Sequence, residues 1–136
     1  MWEKLNLSEP QLMKILIGED DLLTGQVYAT TLRRQGYEVE VATDGIRFLN
    51  HFAEQRPDGV IVDIMLPGLN GIEVIKKLRA QVGRGLPVIA VTNAYVAKYV
   101  DDAQVAGADM VFNKSTVLPA DFVEGFEHLV KAAAAR

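Results

Sequence analysis

Apolar residues along this chain follow two alternating rhythms. Five short runs, at 14–18, 39–42, 59–62, 87–92 and 110–113, are rich in Val and Ile and mostly apolar on consecutive positions. Such runs are expected of strands covered on both faces. Between them, apolar residues recur near a helical period. Leu22, Leu23, Val27, Tyr28 and Leu32 make one stripe, Ile46, Phe48, Leu49 and Phe52 a second, and Ile72, Val74, Ile75 and Leu78 a third. A fourth helix is predicted over about 95–105, and a fifth from about 120 into the Ala-rich end.

The punctuation agrees with this reading. Gly36-Tyr37 closes the first helix, Arg56-Pro57-Asp58-Gly59 closes the second, and Gly83 to Pro87 separates the third from the fourth strand. Gly107 follows the fourth helix as a C-cap. Gly18 stands where an apolar side chain would ordinarily end a strand, and is expected to loosen packing there. Strict strand–helix alternation implies right-handed crossovers and a parallel sheet with helices on both faces. In such an α/β fold, functional residues gather beyond the carboxyl ends of the strands. Residues 1–12, with Trp2, Leu5 and Leu7, fall outside the pattern and read as an N-terminal extension. Packing of Trp2 on the domain or on a partner is the alternative. The domain proper is 13–136.

Composition narrows the function. A chain of 136 residues is one domain by size and can bury a core without covalent staples. With no cysteine, thiolate chemistry and disulfides are excluded. The net charge of −4 and the absence of any basic run argue against nucleic acid as a partner. No stretch is apolar enough to span a membrane and no leader pattern follows Met1, so a cytoplasmic protein is expected. The two histidines, His51 and His128, lie in helical stripes and read as solvated. The fifth helix is expected to use up the chain, leaving no effector domain.

Chemistry concentrates at the strand ends. The first strand runs into Glu19-Asp20-Asp21, the third delivers Asp63, the fourth ends at Thr92, and the fifth stops just before Lys114. The second ends in Thr43-Asp44-Gly45, a helix N-cap and turn. Singly, each has a plain structural use: Asp20 or Asp21 could cap the first helix, Thr92 the fourth, and Lys114 could be a solvent handle. Together, clustered carboxylates with no histidine or cysteine make an all-oxygen site suited to Mg²⁺ or Mn²⁺. Lys114 and the Thr92 hydroxyl could then neutralise and hydrogen-bond a transferring phosphoryl group, with Asp63 as its covalent acceptor.

The segments Lys-Ile-Leu-Ile-Gly-Glu-Asp-Asp, Pro-Asp-Gly-Val-Ile-Val-Asp-Ile-Met-Leu-Pro-Gly-Leu-Asn-Gly, Val-Ile-Ala-Val-Thr-Asn-Ala and Ala-Gly-Ala-Asp-Met-Val-Phe-Asn-Lys resemble the receiver domains of two-component response regulators, in particular the single-domain chemotaxis type. The resemblance covers about 14–130. It implies a flavodoxin-like (βα)5 fold, a doubly wound five-stranded parallel sheet in the order 2-1-3-4-5. It implies a phospho-accepting signalling switch rather than an enzyme acting on an outside substrate. Asp63 would be the phosphoacceptor, Asp20 a direct Mg²⁺ ligand, Glu19 a ligand largely through water, and the Met65 backbone carbonyl the remaining protein ligand. Thr92 and Lys114 would complete the catalytic set. The implied partners are a histidine kinase or phosphotransfer protein and a downstream protein target, with homodimerisation through the fourth-helix, fifth-strand and fifth-helix face.

The chain departs from that family at two points, Val111 and Ser115. Val111 occupies the position of the usual switch aromatic, and Phe112, one residue on, is expected in the core. Tyr95 and Tyr99, spaced i,i+4 on the fourth helix, are candidate substitutes, and Phe122 leaves the dimer face open. Ser115 replaces the usual proline after the lysine. The Lys114–Ser115 bond is therefore expected to be trans, since a cis bond before serine costs roughly 2.5–4 kcal/mol, with the loop over 115–118 rearranged. Met65 and Ala94 offer no acid or base beside the path of a hydrolytic water, so slow phosphate loss is expected. Two other functions compete. One is a receiver-fold binding module working without phosphorylation. The other is a phosphatase of haloacid-dehalogenase type, disfavoured because Met65 stands where such enzymes carry a second aspartate.

Overall fold

A computed structural model describes residues 13–134; the sequence-based reading of 1–12, Trp2 included, lies outside them. The elements are β1 (Lys14–Gly18), α1 (Leu22–Arg34), β2 (Glu38–Ala42), α2 (Gly45–Gln55), β3 (Gly59–Asp63), α3 (Gly71–Val82), a 3-10 turn (Gly83–Gly85), β4 (Val88–Thr92), α4 (Ala97–Ala106), β5 (Met110–Asn113) and α5 (Pro119–Ala134). All strand pairs are parallel and the sheet order is β2-β1-β3-β4-β5. This is the expected flavodoxin-like arrangement.

Side-chain alternation along the strands divides the core into two layers. Leu16, Val60, Val62, Val88 and Ala90 pack with Phe48 and Phe52 of α2, Val74, Ile75 and Leu78 of α3, and Ala103 and Ala106 of α4. Ile15, Ile17, Ile61, Ile89 and Val91 face the other way, onto Tyr28, Ala29 and Leu32 of α1 and Phe122 and Phe126 of α5. Every residue of β3 and β4 is buried, which explains why those runs are apolar without a break. Val111 joins the first layer and Phe112 the second, where it meets Phe122 edge-on at 5.9 Å. Phe112 is thus half-buried against the core, on the face opposite Val111, as its register predicts.

Helix starts follow side-chain caps where the sequence supplies them. Asp21 accepts from Thr24 N, Asp44 from Arg47 N, and Asn70 from Glu73 N, at 2.8–3.1 Å. In α5, Pro119 opens the helix and Asp121 Oδ2 accepts from the Leu118 N–H at 2.8 Å. The fourth helix differs from expectation. It begins at Ala97, and its N-cap Val96 is extended (φ −118°, ψ 156°) with no side-chain cap. Tyr95 therefore lies in the β4–α4 connection, and Tyr95 and Tyr99 are not a helical i,i+4 pair.

Gly18 also corrects the sequence reading. A Cβ there would sit 2.8 Å from Leu66 Cδ1 and 2.9 Å from Phe48 Cδ2. The space is filled by α2 and the β3–α3 loop, so the missing side chain permits close packing rather than loosening it. Gly71 is small for a related reason: a Cβ would overlap the Asp63 carbonyl. The start of α3 is thereby pressed against the strand end that carries Asp63.

Candidate functional site

Five connections leave the carboxyl edge of the sheet, and four of them bring chemistry to one place. Glu19 directly follows β1, and its N–H continues the ladder by donating to the Ala42 carbonyl at 3.0 Å. Asp63 is the last residue of the central strand β3 and pairs with Val91. Thr92 ends β4 one position further along. Lys114 follows β5 and donates its backbone N–H to the Thr92 carbonyl at 2.9 Å.

Glu19 and Asp63 are only 1% and 3% exposed, Asp20 is exposed, and Thr92 is fully enclosed. Carboxylate oxygens of Glu19, Asp20 and Asp63 all lie within 4.8 Å of one another. The Lys114 ammonium reaches Asp63 Oδ2 at 2.7 Å and Glu19 Oε2 at 2.9 Å. Asp63 Oδ1 accepts the Met65 N–H at 2.9 Å, and Glu19 Oε2 also accepts the Asp21 N–H at 3.0 Å. Glu19 Oε1 lies 2.7 Å from the same ammonium, so both oxygens of this carboxylate face Lys114.

Three carboxylates against one ammonium leave an excess of two negative charges. Two like charges 4.8 Å apart repel by about 3–4 kcal/mol at an effective dielectric constant near 20. Burial pushes the Glu19 carboxyl above its ordinary range; hydrogen bonds from Lys114 and Asp21 pull it partly back, and the Asp63 charge adds to the rise. For Lys114, burial alone would favour loss of the proton, but hydrogen bonds to Asp63 and Glu19 outweigh it and hold the ammonium above its usual value. Lys114 is thus a fixed cation. The excess charge and the oxygen-only donor set both fit a hard divalent cation.

The other residues singled out from sequence divide clearly. Asp21 caps α1 and bonds the Thr24 hydroxyl, which lowers its pKa. Thr92 does not cap α4: its Oγ1 accepts the Ala94 N–H at 3.0 Å, and no described residue accepts its proton. Met65 is 60% exposed, and its contact with the site is the N–H that donates to Asp63 Oδ1. Lys114–Ser115 is trans, as expected, since no described peptide bond is cis. One residue escaped the sequence reading: Asn113, whose side-chain and main-chain oxygens close the turn after Lys114. The Asn-x-Ser spacing after a strand was its available signal, because Asn commonly bonds the backbone two residues on.

Comparison with known proteins agrees with this geometry. The family described as "Response regulator receiver domain" matches residues 15–122. The response regulator MprA of Mycobacterium avium is 37% identical over 97 residues, 71% of this chain; the match spans 40% of that protein's length. The CheY-like receiver domain protein of Methanospirillum hungatei is 27% identical with a TM-score of 0.85, over 92% of this chain and 98% of that one. The BeF3-activated N-terminal receiver domain of Klebsiella pneumoniae RstA is 31% identical with a TM-score of 0.78, over 85% and 97%. The chain therefore belongs to the receiver domains of two-component response regulators.

Proposed function

We propose that the chain accepts a phosphoryl group on Asp63 from a histidine kinase or phosphotransfer protein and passes the signal on by protein–protein contact. One observation carries the reading: the ammonium of Lys114 bridges Asp63 Oδ2 and Glu19 Oε2 beside three converging carboxylates. In the transfer, a carboxylate oxygen of Asp63 attacks phosphorus on the partner's phosphohistidine. A P–O bond forms, the P–N bond breaks, and the imidazole nitrogen keeps the electron pair and takes up a proton.

Each neighbour has a task that its contacts support. The Met65 N–H and Lys114 hold the two oxygens of Asp63 and so orient the nucleophile. Lys114 supplies positive charge to an incoming phosphoryl oxygen, and the uncommitted Thr92 hydroxyl donates to another. Glu19, Asp20, Asp63 and the Met65 carbonyl are the groups that would hold Mg²⁺ or Mn²⁺. When bound, that ion offsets the carboxylate charge that would repel the phosphoryl oxygens. The protein is a switch and not an enzyme for an outside substrate; its only turnover is slow hydrolysis of its own acyl phosphate. Its output reaches a downstream protein, with the α4, β5 and α5 face also open to a second copy of the chain. No helix among the described residues is long and apolar enough to cross a membrane.

Incubation with a small acyl phosphate and Mg²⁺, followed by intact mass, tests this. The expected result is a gain of one phosphoryl group, absent without the ion and absent in Asp63→Asn. No gain in the wild-type chain would favour the binding module that works without phosphorylation.

A further inference from the structure

The turn that follows β5 is built on one residue. Asn113 Oδ1 accepts the Ser115 N–H at 3.0 Å. The Asn113 main-chain oxygen accepts the N–H groups of Thr116 and Val117 at 3.0 and 2.9 Å. Lys114 is the single residue enclosed by the side-chain bond. The ring it closes contains both backbone torsions of Lys114, so it fixes the direction of the Cα–Cβ bond. On the other side, the Lys114 N–H is held by Thr92. A lysine has a long flexible stem, and its reach depends on how its backbone is aimed.

From these contacts we infer that Asn113 is a positioning residue that aims Lys114 at Asp63 and Glu19. The inference rests on the phosphoacceptor reading for its consequence, but its geometry stands without it. The main-chain bonds to Thr92 and across the turn hold Lys114 from outside, and the Asn113 side-chain ring is the contact that encloses it alone. Ser115 is exposed, so water replaces Oδ1 at its N–H when the side chain is removed. Loss of the bond therefore loosens Lys114 with little loss of overall stability.

Two variants and two readouts test this. Asn113→Ala removes the acceptor, while Asn113→Ser restores a weaker, uncharged one. The first readout is the rate of amine labelling at Lys114 by peptide mass mapping, with the exposed Lys76 and Lys98 as internal references. Labelling of Lys114 is expected to rise about fivefold in Asn113→Ala, the effect of one lost hydrogen bond. In Asn113→Ser it should stay within about twofold of wild type, by the same arithmetic. The second is the rate of phosphorylation, which should fall by a similar factor in Asn113→Ala. In a Lys114→Ala background, Asn113→Ala should change that rate little, because the effect passes through the lysine. Unchanged labelling of Lys114, or an equal slowing with and without Lys114, would overturn the inference. If the wild-type chain takes no phosphoryl group, the function reading fails and the labelling result alone decides the role of Asn113.

Discussion

Glu19 is buried, with both carboxylate oxygens within 2.9 Å of the Lys114 ammonium, beside a second buried carboxylate on Asp63. Lys114, which also holds Asp63, offsets the cost of its buried charge only in part, and a cation in the site would offset more. Glu19→Gln is therefore expected to stabilise the protein in the presence of a chelator, by on the order of 1 kcal/mol. The same variant should lose much of the stabilisation that Mg²⁺ gives the wild type, about 2.7 kcal/mol at a hundred times Kd. Urea unfolding with and without the ion measures both; a destabilised variant whose response to Mg²⁺ is intact would contradict the assignment. At this scale Glu19, Asp20, Asp63, Thr92 and Lys114 were legible because each adjoins the carboxyl end of an apolar run. Asn113 was not, because Asn-Lys-Ser reads equally well as three solvated residues until the chain is seen to turn there.

Arg79, near the end of α3, ties the opposite edge of the molecule together. Its guanidinium donates to the carbonyls of Gly107, Gly83 and Leu86 and pairs with Asp109 at 3.1 Å. Asp109 in turn accepts the Val88 N–H at 2.8 Å. The ends of α3 and α4 and the starts of β4 and β5 thus meet on one side chain. Arg79→Ala should destabilise the fold by about 2–4 kcal/mol, because it strands partly buried carbonyls and a carboxylate. Lysine should rescue little, as it lacks the planar fork. Phosphorylation of the surviving folded fraction should be unaffected, since Arg79 lies at the far end of the strands from Asp63. Thermal unfolding together with the phosphorylation assay separates the two effects. Element boundaries were readable where a cap marks them, at Asp44 and at Asp20 or Asp21, of which Asp21 is the cap; Asn70 caps α3 where the sequence showed only a turn. For α4 the expected start near 95 lies two residues before the observed Ala97, because no capping residue marks the helix end.

Across the whole molecule, alternation within each strand sorts apolar residues to two helical layers, and the same ordering brings four strand ends to one edge. The architecture was legible because unbroken apolar runs separated by helical stripes leave few alternatives to a covered parallel sheet. The closeness of Gly18 to Phe48 and Leu66 was not, since it depends on contacts distant in sequence. With Met65 exposed and Ala94 apolar beside the site, no side chain at those positions can direct water at an acyl phosphate, and the phosphorylated protein should outlast seconds when followed by intact mass. Borohydride reduction of the phosphorylated protein followed by peptide mapping identifies the residue that takes the phosphoryl group, because an aspartyl phosphate is converted to homoserine. Homoserine is expected at position 63 alone; conversion of any other carboxylate, or of none, would rule out Asp63 as the acceptor.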